Sequence, residues 1–206
     1  SVGISDDFMV AVEQDLNWNL INPRTKTITK VLKAKEIWQL LVNEAWKTGD
    51  PGLIFMDTIN SQNPTAKMGR IESTNPCGEV PLLNYESCIL GSINLSKMIV
   101  RKDQKRAIDW KKLLKTIHLG IRFLDNIITL NHYLLPQIKR ITTGNRKIGL
   151  GVMGWAELLI LLEVPYASHK AVALAEQLMR FIKKESFKAS EKLAIERGVF
   201  PNWNKS

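Results

Sequence analysis

The sequence predicts an α/β protein with more helix than strand. Four stretches repeat apolar residues at helical spacing, which is typical of an amphipathic helix. Short β-branched and apolar runs, bounded by Gly, Pro, Asn and Asp, lie between these stretches and are typical of strands. No internal repeat, low-complexity tract or linker is seen, so a single domain segment over residues 1–206 is the simplest organisation.

Composition restricts the class of protein. Hydrophobic residues make up 45% of the chain and charged residues 24%, which is ordinary for a globular protein and excludes a disordered one. The 29 Lys and Arg residues exceed the 20 Asp and Glu residues, and this balance of +9 would attract nucleotides, phosphates or nucleic acid. No apolar run reaches the roughly 18 residues of a membrane span and no signal peptide is seen, so we expect a cytoplasmic protein with reduced thiols.

The first third of the chain is predicted to alternate short strands with helices. Asp6 and Asp7 favour a helix start, and Gly-Asp-Pro at 49–51 favours a helix end. The apolar run at 53–56 fits either a buried strand or the start of a helix. The other predicted elements are a strand at 1–5, a helix carrying Phe8, Val12 and Leu16, a hairpin over 18–32, a helix with the stripe Ile37, Leu40, Leu41 and Ala45, and a loop at 61–69.

Helices dominate the prediction for the second half. Asp109 precedes an apolar stripe at helical spacing, and Pro136 interrupts that helix. Ser168 and Gly198 are suited to begin and end a second long helix. A polar connector is predicted at Arg101–Arg106. The stripes are Leu113, Ile117, Ile121, Leu124 and Ile128 in the first helix, and Ala171, Leu174, Ala175, Leu178, Ile182, Ala189 and Leu193 in the second.

Gly149 to Gly154 formally matches the dinucleotide-binding pattern G-x-G-x-x-G. That fingerprint follows a hydrophobic strand and is answered by an acidic residue about 20 positions later. Here the polar residues 142–147 precede the glycines and Glu176 lies in a helical pattern, so a nicotinamide site is not expected. His118 and His132 have no partner at metal-ligand spacing, so we expect exposed or hydrogen-bonded histidines there.

Both cysteines lie in the stretch Ile71–Leu95, around which the rest of the chain is organised. Cys77 and Cys88 lack the C-x-x-C spacing and the neighbouring histidines of a metal site. A turn is predicted over Pro81–Glu86 and a buried strand over Cys88–Leu95.

The pentapeptide at 75–79 places a thiol between an amide and a carboxylate. Pro76 restricts the backbone before Cys77, and Gly78 allows a sharp turn after it. In an extended segment residues i and i+2 point the same way, so Asn75, Cys77 and Glu79 are predicted to project from one face. The alternative interpretation of these five residues is a turn that carries a small buried thiol without catalytic function.

The motifs N-P-C-G-E and S-C-I-L-G-S-I-N-L closely resemble the active-site region of the ribonucleotide reductase catalytic subunit, most of all its adenosylcobalamin-dependent class II branch. Residues 1–9, 48–57 and 145–154 are similar to further stretches of that family, in its order. The resemblance implies a segment of a ten-stranded α/β barrel, with the first and last parts of the barrel outside the chain. Residues 75–79 would then lie on a finger loop inside the barrel, shielded from water. The glycines from 149 to 154 would let a barrel strand pass close to that loop and turn into a helix at Trp155–Leu162.

The resemblance also implies a role for each site residue. Cys77 would form the thiyl radical that removes the ribose 3′-hydrogen, Glu79 would be the base on the 3′-hydroxyl, and Asn75 would hydrogen-bond the sugar hydroxyls. Cys88 would be one thiol of the pair that reduces the 2′ position, and its partner is not in this chain. Relatives usually carry C-N-L-G-S where this chain has C-I-L-G-S.

The activity implied is the radical reduction of ribonucleotides to 2′-deoxyribonucleotides, with the isolated chain inactive. The resemblance further implies adenosylcobalamin as cofactor, and an external dithiol of thioredoxin or glutaredoxin type and the remainder of the reductase polypeptide as partners. It leaves open the radical source, the choice of diphosphate or triphosphate substrate, the allosteric effectors and the oligomeric state, for which a homodimer is one option. The alternative function is a basic helical protein that binds nucleic acid, whose affinity would fall steeply with salt.

Overall fold

The computed structural model describes residues 1–102 and 105–206, and these form two compact units, Ser1–Asn84 with Lys205–Ser206, and Tyr85–Asn204. Within the described residues the strands pair only two by two, in five sheets, so a closed ten-stranded barrel is not seen. The mixed α/β class predicted from the sequence is confirmed. Short 3-10 helices lie at Ala66–Met68, Leu95–Lys97 and Trp203–Lys205.

The first unit alternates strands and helices as predicted. Strand β1 pairs in parallel with β4, and β2 pairs with β3 as an antiparallel hairpin. The apolar run at 53–56 contains the end of a strand at Phe55 and the start of a helix at Met56. The helix start is confirmed, but the strand is not buried as predicted, because Leu53 and Phe55 are exposed. The elements are β1 Val2–Ile4, α1 Asp6–Glu13, β2 Asn17–Ile21, β3 Ile28–Lys33, α2 Ala34–Thr48, β4 Leu53–Phe55, α3 Met56–Ser61, β5 Ser73–Thr74 and β6 Pro81–Leu82.

A small apolar core holds the first unit together. Ser5 caps α1 by accepting a hydrogen bond from the Phe8 backbone N at 3.2 Å. The buried core residues are Ile4, Phe8, Ala11 and Ala34. One member of the predicted α2 stripe does not belong to it, since Leu40 is 61% exposed. Trp38 and Leu41 pack on the core instead. At helical spacing these two residues lie on one side of α2, and position 40 lies on the other side.

The second unit contains the long helices. Its sheet pairs β7 with β10 in parallel, from Ile89 opposite Ile148 to Asn94 opposite Met153. The elements are β7 Ile89–Asn94, β8 Ile99–Lys102, β9 Lys105–Ile108, α4 Trp110–Leu130, α5 Pro136–Asn145, β10 Ile148–Met153, α6 Trp155–Leu161 and α7 His169–Arg197. The predicted strand over 88–95 and both predicted long helices are confirmed, but the strand is not the buried one expected, since Ile93 is buried and Leu90 is 55% exposed. Helix α4 ends at Leu130, before the interruption predicted at Pro136, which instead begins α5.

Helices α4 and α7 pack against each other because both carry the apolar stripes that the sequence predicts. All five α4 stripe residues are buried. Asp109 caps α4 through the Lys112 backbone N at 2.9 Å, and Ser168 caps α7 through the Ala171 backbone N at 3.1 Å. No helix of the described residues has the length and apolar character that crossing a membrane requires.

The glycines near 150 lie inside strand β10 and at its end. A Cβ atom on Gly149 would come within 2.5 Å of Leu90 Cδ2 on β7, so the exposed Leu90 side chain would have to shift to accommodate it. Gly154 has φ +73° and turns the chain from β10 into α6. The predicted strand and its turn into a helix are confirmed.

The predicted polar connector at Arg101–Arg106 is wrong for its described residues. Strands β8 and β9 form an antiparallel hairpin in which Arg101 pairs with Arg106, and residues 103–104 of the connector lie outside the described residues. The hairpin forms because Met98 and Ile108 at its base are buried in the core of the unit, and this outweighs the polar side chains near its tip.

A histidine, a carboxylate and a lysine meet where α4 packs on α7. His118 Nε2 lies 3.5 Å from Glu185 Oε2, and Lys188 Nζ lies 2.8 Å from Glu185 Oε1. The hydrogen bond from Lys188, followed by the neighbouring His118, holds the pKa of Glu185 below its ordinary value despite the opposing effect of desolvation. His118 Nε2 is buried with this carboxylate neighbour but makes no hydrogen bond in the described structure, so the prediction for His118 is wrong, while His132 is exposed as predicted.

Replacing Ile117 by alanine is expected to destabilise the chain by about 2–5 kcal/mol, because a fully buried side chain of α4 leaves a cavity. Urea unfolding followed by circular dichroism measures this change. The matched control is Leu119→Ala on the same helix, where the side chain is 69% exposed. That control is expected to change stability by less than about 0.5 kcal/mol. Equal losses in the two variants would contradict the assigned core.

Candidate active site

The segment that leads into the N-P-C-G-E motif is held by the side chain of one asparagine. Asn60 on α3 donates from Nδ2 to the Ile71 carbonyl oxygen at 2.9 Å and accepts from the Ile71 backbone N at 2.8 Å. Ile71 and Leu83, on either side of the motif, are buried. Both ends of the segment that carries the motif are therefore fixed within the first unit.

Residues 75–80 form the loop of a short hairpin. Strand β5 pairs with β6 so that Ser73 lies opposite Leu82 and Thr74 opposite Pro81. Within the loop, the Gly78 backbone N donates to the Asn75 carbonyl oxygen at 3.0 Å. The Asn75 side chain crosses the base of the loop, where its Oδ1 accepts from the Val80 backbone N at 2.9 Å.

The predicted extended conformation of residues 75–79 is wrong. The backbone turns at Pro76 and Cys77, and Gly78 adopts φ +83°, which favours glycine. Pairing of the flanking strands forces this turn, because it brings the two ends of the loop together. The predicted sharp turn at Gly78 is confirmed. The turn predicted over 81–86 is shorter than expected and lies at Asn84 and Tyr85.

One loop carries the amide of Asn75, the thiol of Cys77 and the carboxylate of Glu79, and two of these groups are open to solvent. Cys77 and Glu79 are exposed, whereas Asn75 is half-buried. The predicted shielding of the sulfur from water is therefore not seen in the described residues. An exposed thiol beside an exposed carboxylate is accessible to a bound molecule, and these groups can exchange a hydrogen atom and a proton with it.

Cys88 belongs to the second unit and directly precedes strand β7. Its side chain is half-buried, and neither Cys88 nor Cys77 is part of a disulfide in the described structure. The backbone that follows Cys88 is held in place, because β7 is paired along its whole length with β10.

A buried polar network surrounds the two residues that precede Cys88. The Ser87 backbone N donates to Thr142 Oγ1 at 3.2 Å, and the two hydroxyl oxygens lie 3.0 Å apart. Glu86 Oε1 accepts from Asn145 Nδ2 at 2.7 Å, and Glu86 Oε2 accepts from Lys147 Nζ at 2.9 Å. This network was not predicted from the sequence. The available signal was an acidic residue two positions before a cysteine, with a basic residue just before the glycine-rich strand.

Comparison with known proteins supports the resemblance that the motifs indicate. The family model of the ribonucleotide reductase barrel domain matches residues 1–206. The chain is 56% identical over 98% of its length to the vitamin B12-dependent ribonucleoside-diphosphate reductase of Thermoplasma acidophilum, and covers 26% of that protein. It is 48% identical over 100% of its length to a protein of the same name from Mycobacterium tuberculosis, covering 29% of it. A vitamin B12-dependent ribonucleotide reductase of Agrobacterium fabrum is 33% identical over 98% of the chain.

Proposed function

The chain belongs to the ribonucleotide reductase barrel-domain family, and we propose that within the complete protein it provides the catalytic core for radical reduction of ribonucleotides to 2′-deoxyribonucleotides. The observation that carries the proposal is the hairpin loop at 75–80, on which the Cys77 thiol and the Glu79 carboxylate are both exposed. The chain spans 26% and 29% of the length of two relatives with that activity in their names, so the activity is assigned to the complete protein.

The finer architecture is part of the same proposal. Residues 1–206 form one segment of the barrel domain, and the parallel β7–β10 pair contributes two of its ten strands. In the complete barrel the loop at 75–80 is the finger loop, and the surrounding wall shields a sulfur that is exposed in the chain described here. The reason for shielding is chemical, since a sulfur radical in contact with solvent is lost to stray reductants.

Cys77 and Glu79 act on the 3′ position of the ribose. The Cys77 sulfur, as a radical, takes the 3′-hydrogen atom and returns it at the end of the reaction. Sulfur suits this step because its radical is comparatively stable and the S–H bond is weak. Glu79 accepts the proton of the 3′-hydroxyl as general base, which requires hydrogen-bond distance in the complex with substrate.

Asn75 has two tasks under this proposal. Its Oδ1 holds the loop through the Val80 backbone N, and its Nδ2 group donates to the sugar hydroxyls. The same side chain therefore links the shape of the loop to the position of the substrate.

Cys88 supplies one of the two thiols that reduce the 2′ position. The 2′-hydroxyl leaves as water, a hydrogen takes its place, and the two thiols close into a disulfide, so one ribonucleotide and two thiols give one deoxyribonucleotide, one disulfide and one water. The second thiol belongs to another part of the complete polypeptide. An external dithiol of thioredoxin or glutaredoxin type then reduces the disulfide.

The proposed cofactor is adenosylcobalamin, and the proposed substrate is a ribonucleoside diphosphate, in line with the names of the relatives. When bound, adenosylcobalamin supplies the radical chemistry that removes the hydrogen atom of a thiol. The described residues fit such a group at Cys77, whose exposed thiol is open to approach.

A cytoplasmic homodimer is the proposed state of the complete protein, since the chemistry depends on reduced thiols. The alternative function of nucleic-acid binding has no support in the comparisons, because the relatives are named as reductases. The positive charge is compatible with a phosphorylated substrate.

The complete protein is expected to convert a ribonucleoside diphosphate to its 2′-deoxy form when adenosylcobalamin and a dithiol are supplied. Chromatography of the nucleotide products measures this conversion. Omission of adenosylcobalamin is the control, and it is expected to remove the product. Absence of product with every component present would contradict the proposal, and equal product without the cofactor would contradict the proposed radical source.

A further inference from the structure

We propose that Glu86 is a positioning residue for the Cys88 thiol, and that its buried ion pair with Lys147 holds that thiol where reduction at the 2′ position requires it. The inference rests on the proposed function, because the step it serves is the one assigned to Cys88. Glu86 acts by holding the backbone two residues before Cys88 in place. It is not proposed to contact the reacting atoms.

The burial of the ion pair is the first observation. The Glu86 side chain is 0% exposed and the Lys147 side chain is 19% exposed. Removing two charges from water costs several kcal/mol for each ion, so such a pair needs good geometry and further hydrogen bonds. Both are present, because each Glu86 oxygen accepts a hydrogen bond, and Asn145, one of the two donors, itself accepts from Asn202 Nδ2 at 2.7 Å.

The second observation is the position of Cys88 between fixed points. On its N-terminal side Glu86 is bound to Lys147, and Ser87 is bound to Thr142, which is fully buried. On its C-terminal side Ile89 pairs with Ile148 in the parallel sheet. All of these partners come from the end of α5 and the start of β10, so one rigid segment determines where the Cys88 backbone lies.

The consequence for the reaction follows from distance. Reacting atoms have to meet at about 3–3.5 Å, and a misplacement of about 1 Å can lower a rate by about a hundredfold. Loss of the Glu86 charge releases one of the fixed points next to Cys88. The step at Cys77 belongs to the other unit and does not use these contacts.

Glu86→Gln in the complete reductase tests the inference with a 3′-tritiated ribonucleoside diphosphate. Tritium released to water reports 3′-hydrogen that Cys77 removed and did not return because the later step failed, and deoxyribonucleotide reports completed reduction at the 2′ position. We expect the ratio of product to released tritium to fall by about ten- to a hundredfold. The matched control is Glu185→Gln, which also removes a carboxylate paired with a lysine in this unit. Its ratio is expected to equal that of the unaltered enzyme.

A second pair of variants covers the case in which Glu86→Gln does not fold. Thr142→Val removes the hydroxyl that binds Ser87 while keeping the side-chain shape, and Thr142→Ser keeps the hydroxyl. The ratio is expected to fall in the valine variant and to be restored in the serine variant. Equal loss of both rates, or no change in the ratio in the folded variants, would overturn the inference. An unaltered enzyme that forms no deoxyribonucleotide would instead overturn the proposed function.

Discussion

Cys77→Ser in the complete reductase is expected to lower deoxyribonucleotide formation by at least about a thousandfold, the scale on which loss of an obligatory catalytic side chain acts. A hydroxyl has nearly the size of a thiol, but its O–H bond is too strong to yield the radical that takes the 3′-hydrogen. The exposed position of Cys77 on its loop means that the substitution leaves no buried cavity. Product formation and tritium release from 3′-tritiated substrate measure the two consequences, and both are expected to stop.

The matched control for this variant is Cys88→Ser, which makes the same atomic change in the second unit. Product formation is again expected to be lost, because the dithiol is incomplete. Tritium release is expected to continue, because the Cys77 thiol is still present. A fully active Cys77→Ser enzyme would refute the assignment of Cys77 as the radical residue. Loss of tritium release in Cys88→Ser would contradict the assignment of 3′-hydrogen removal to Cys77 alone and of 2′ reduction to Cys88.

Glu79→Gln has the second largest expected effect, a fall in kcat of about a hundredfold to ten-thousandfold with little change in KM. The amide keeps the shape of the side chain but cannot accept the proton of the 3′-hydroxyl at neutral pH. Steady-state kinetics with varied substrate measures kcat and KM separately. The effect is expected on kcat because proton removal belongs to the chemical step and not to substrate binding.

Glu72→Gln is the control for this second variant. Glu72 is another exposed carboxylate just before the same hairpin, and its Oε2 accepts a hydrogen bond from Asn84 Nδ2 at 3.0 Å. Its replacement is expected to leave kcat within about threefold of the unaltered enzyme, the range of a surface change. If the two glutamine variants lost activity equally, the assignment of Glu79 as the base would fail.

Local signals account for most of what could be predicted from the sequence. The apolar stripe of α4 is buried residue for residue, and Asp109 and Ser168 cap the helices that they were predicted to begin. Helical periodicity and capping depend on residues within a few positions of one another, so one sequence is enough to read them. The motif around Cys77 could also be recognised from the sequence, because its residues are contiguous in the chain.

The family, the order of most elements and the candidate residues Asn75, Cys77, Glu79 and Cys88 could be predicted from the order of residues alone. The closing of a hairpin by residues 75–80 and the burial of Glu86 against Lys147 became visible in the folded chain. These features depend on partners distant in sequence, such as β6 for β5, and α5 and β10 for the residues before Cys88. Strand pairing and the burial of charge depend on which segments pack together in the folded chain. A local pattern of residue types does not specify these long-range contacts.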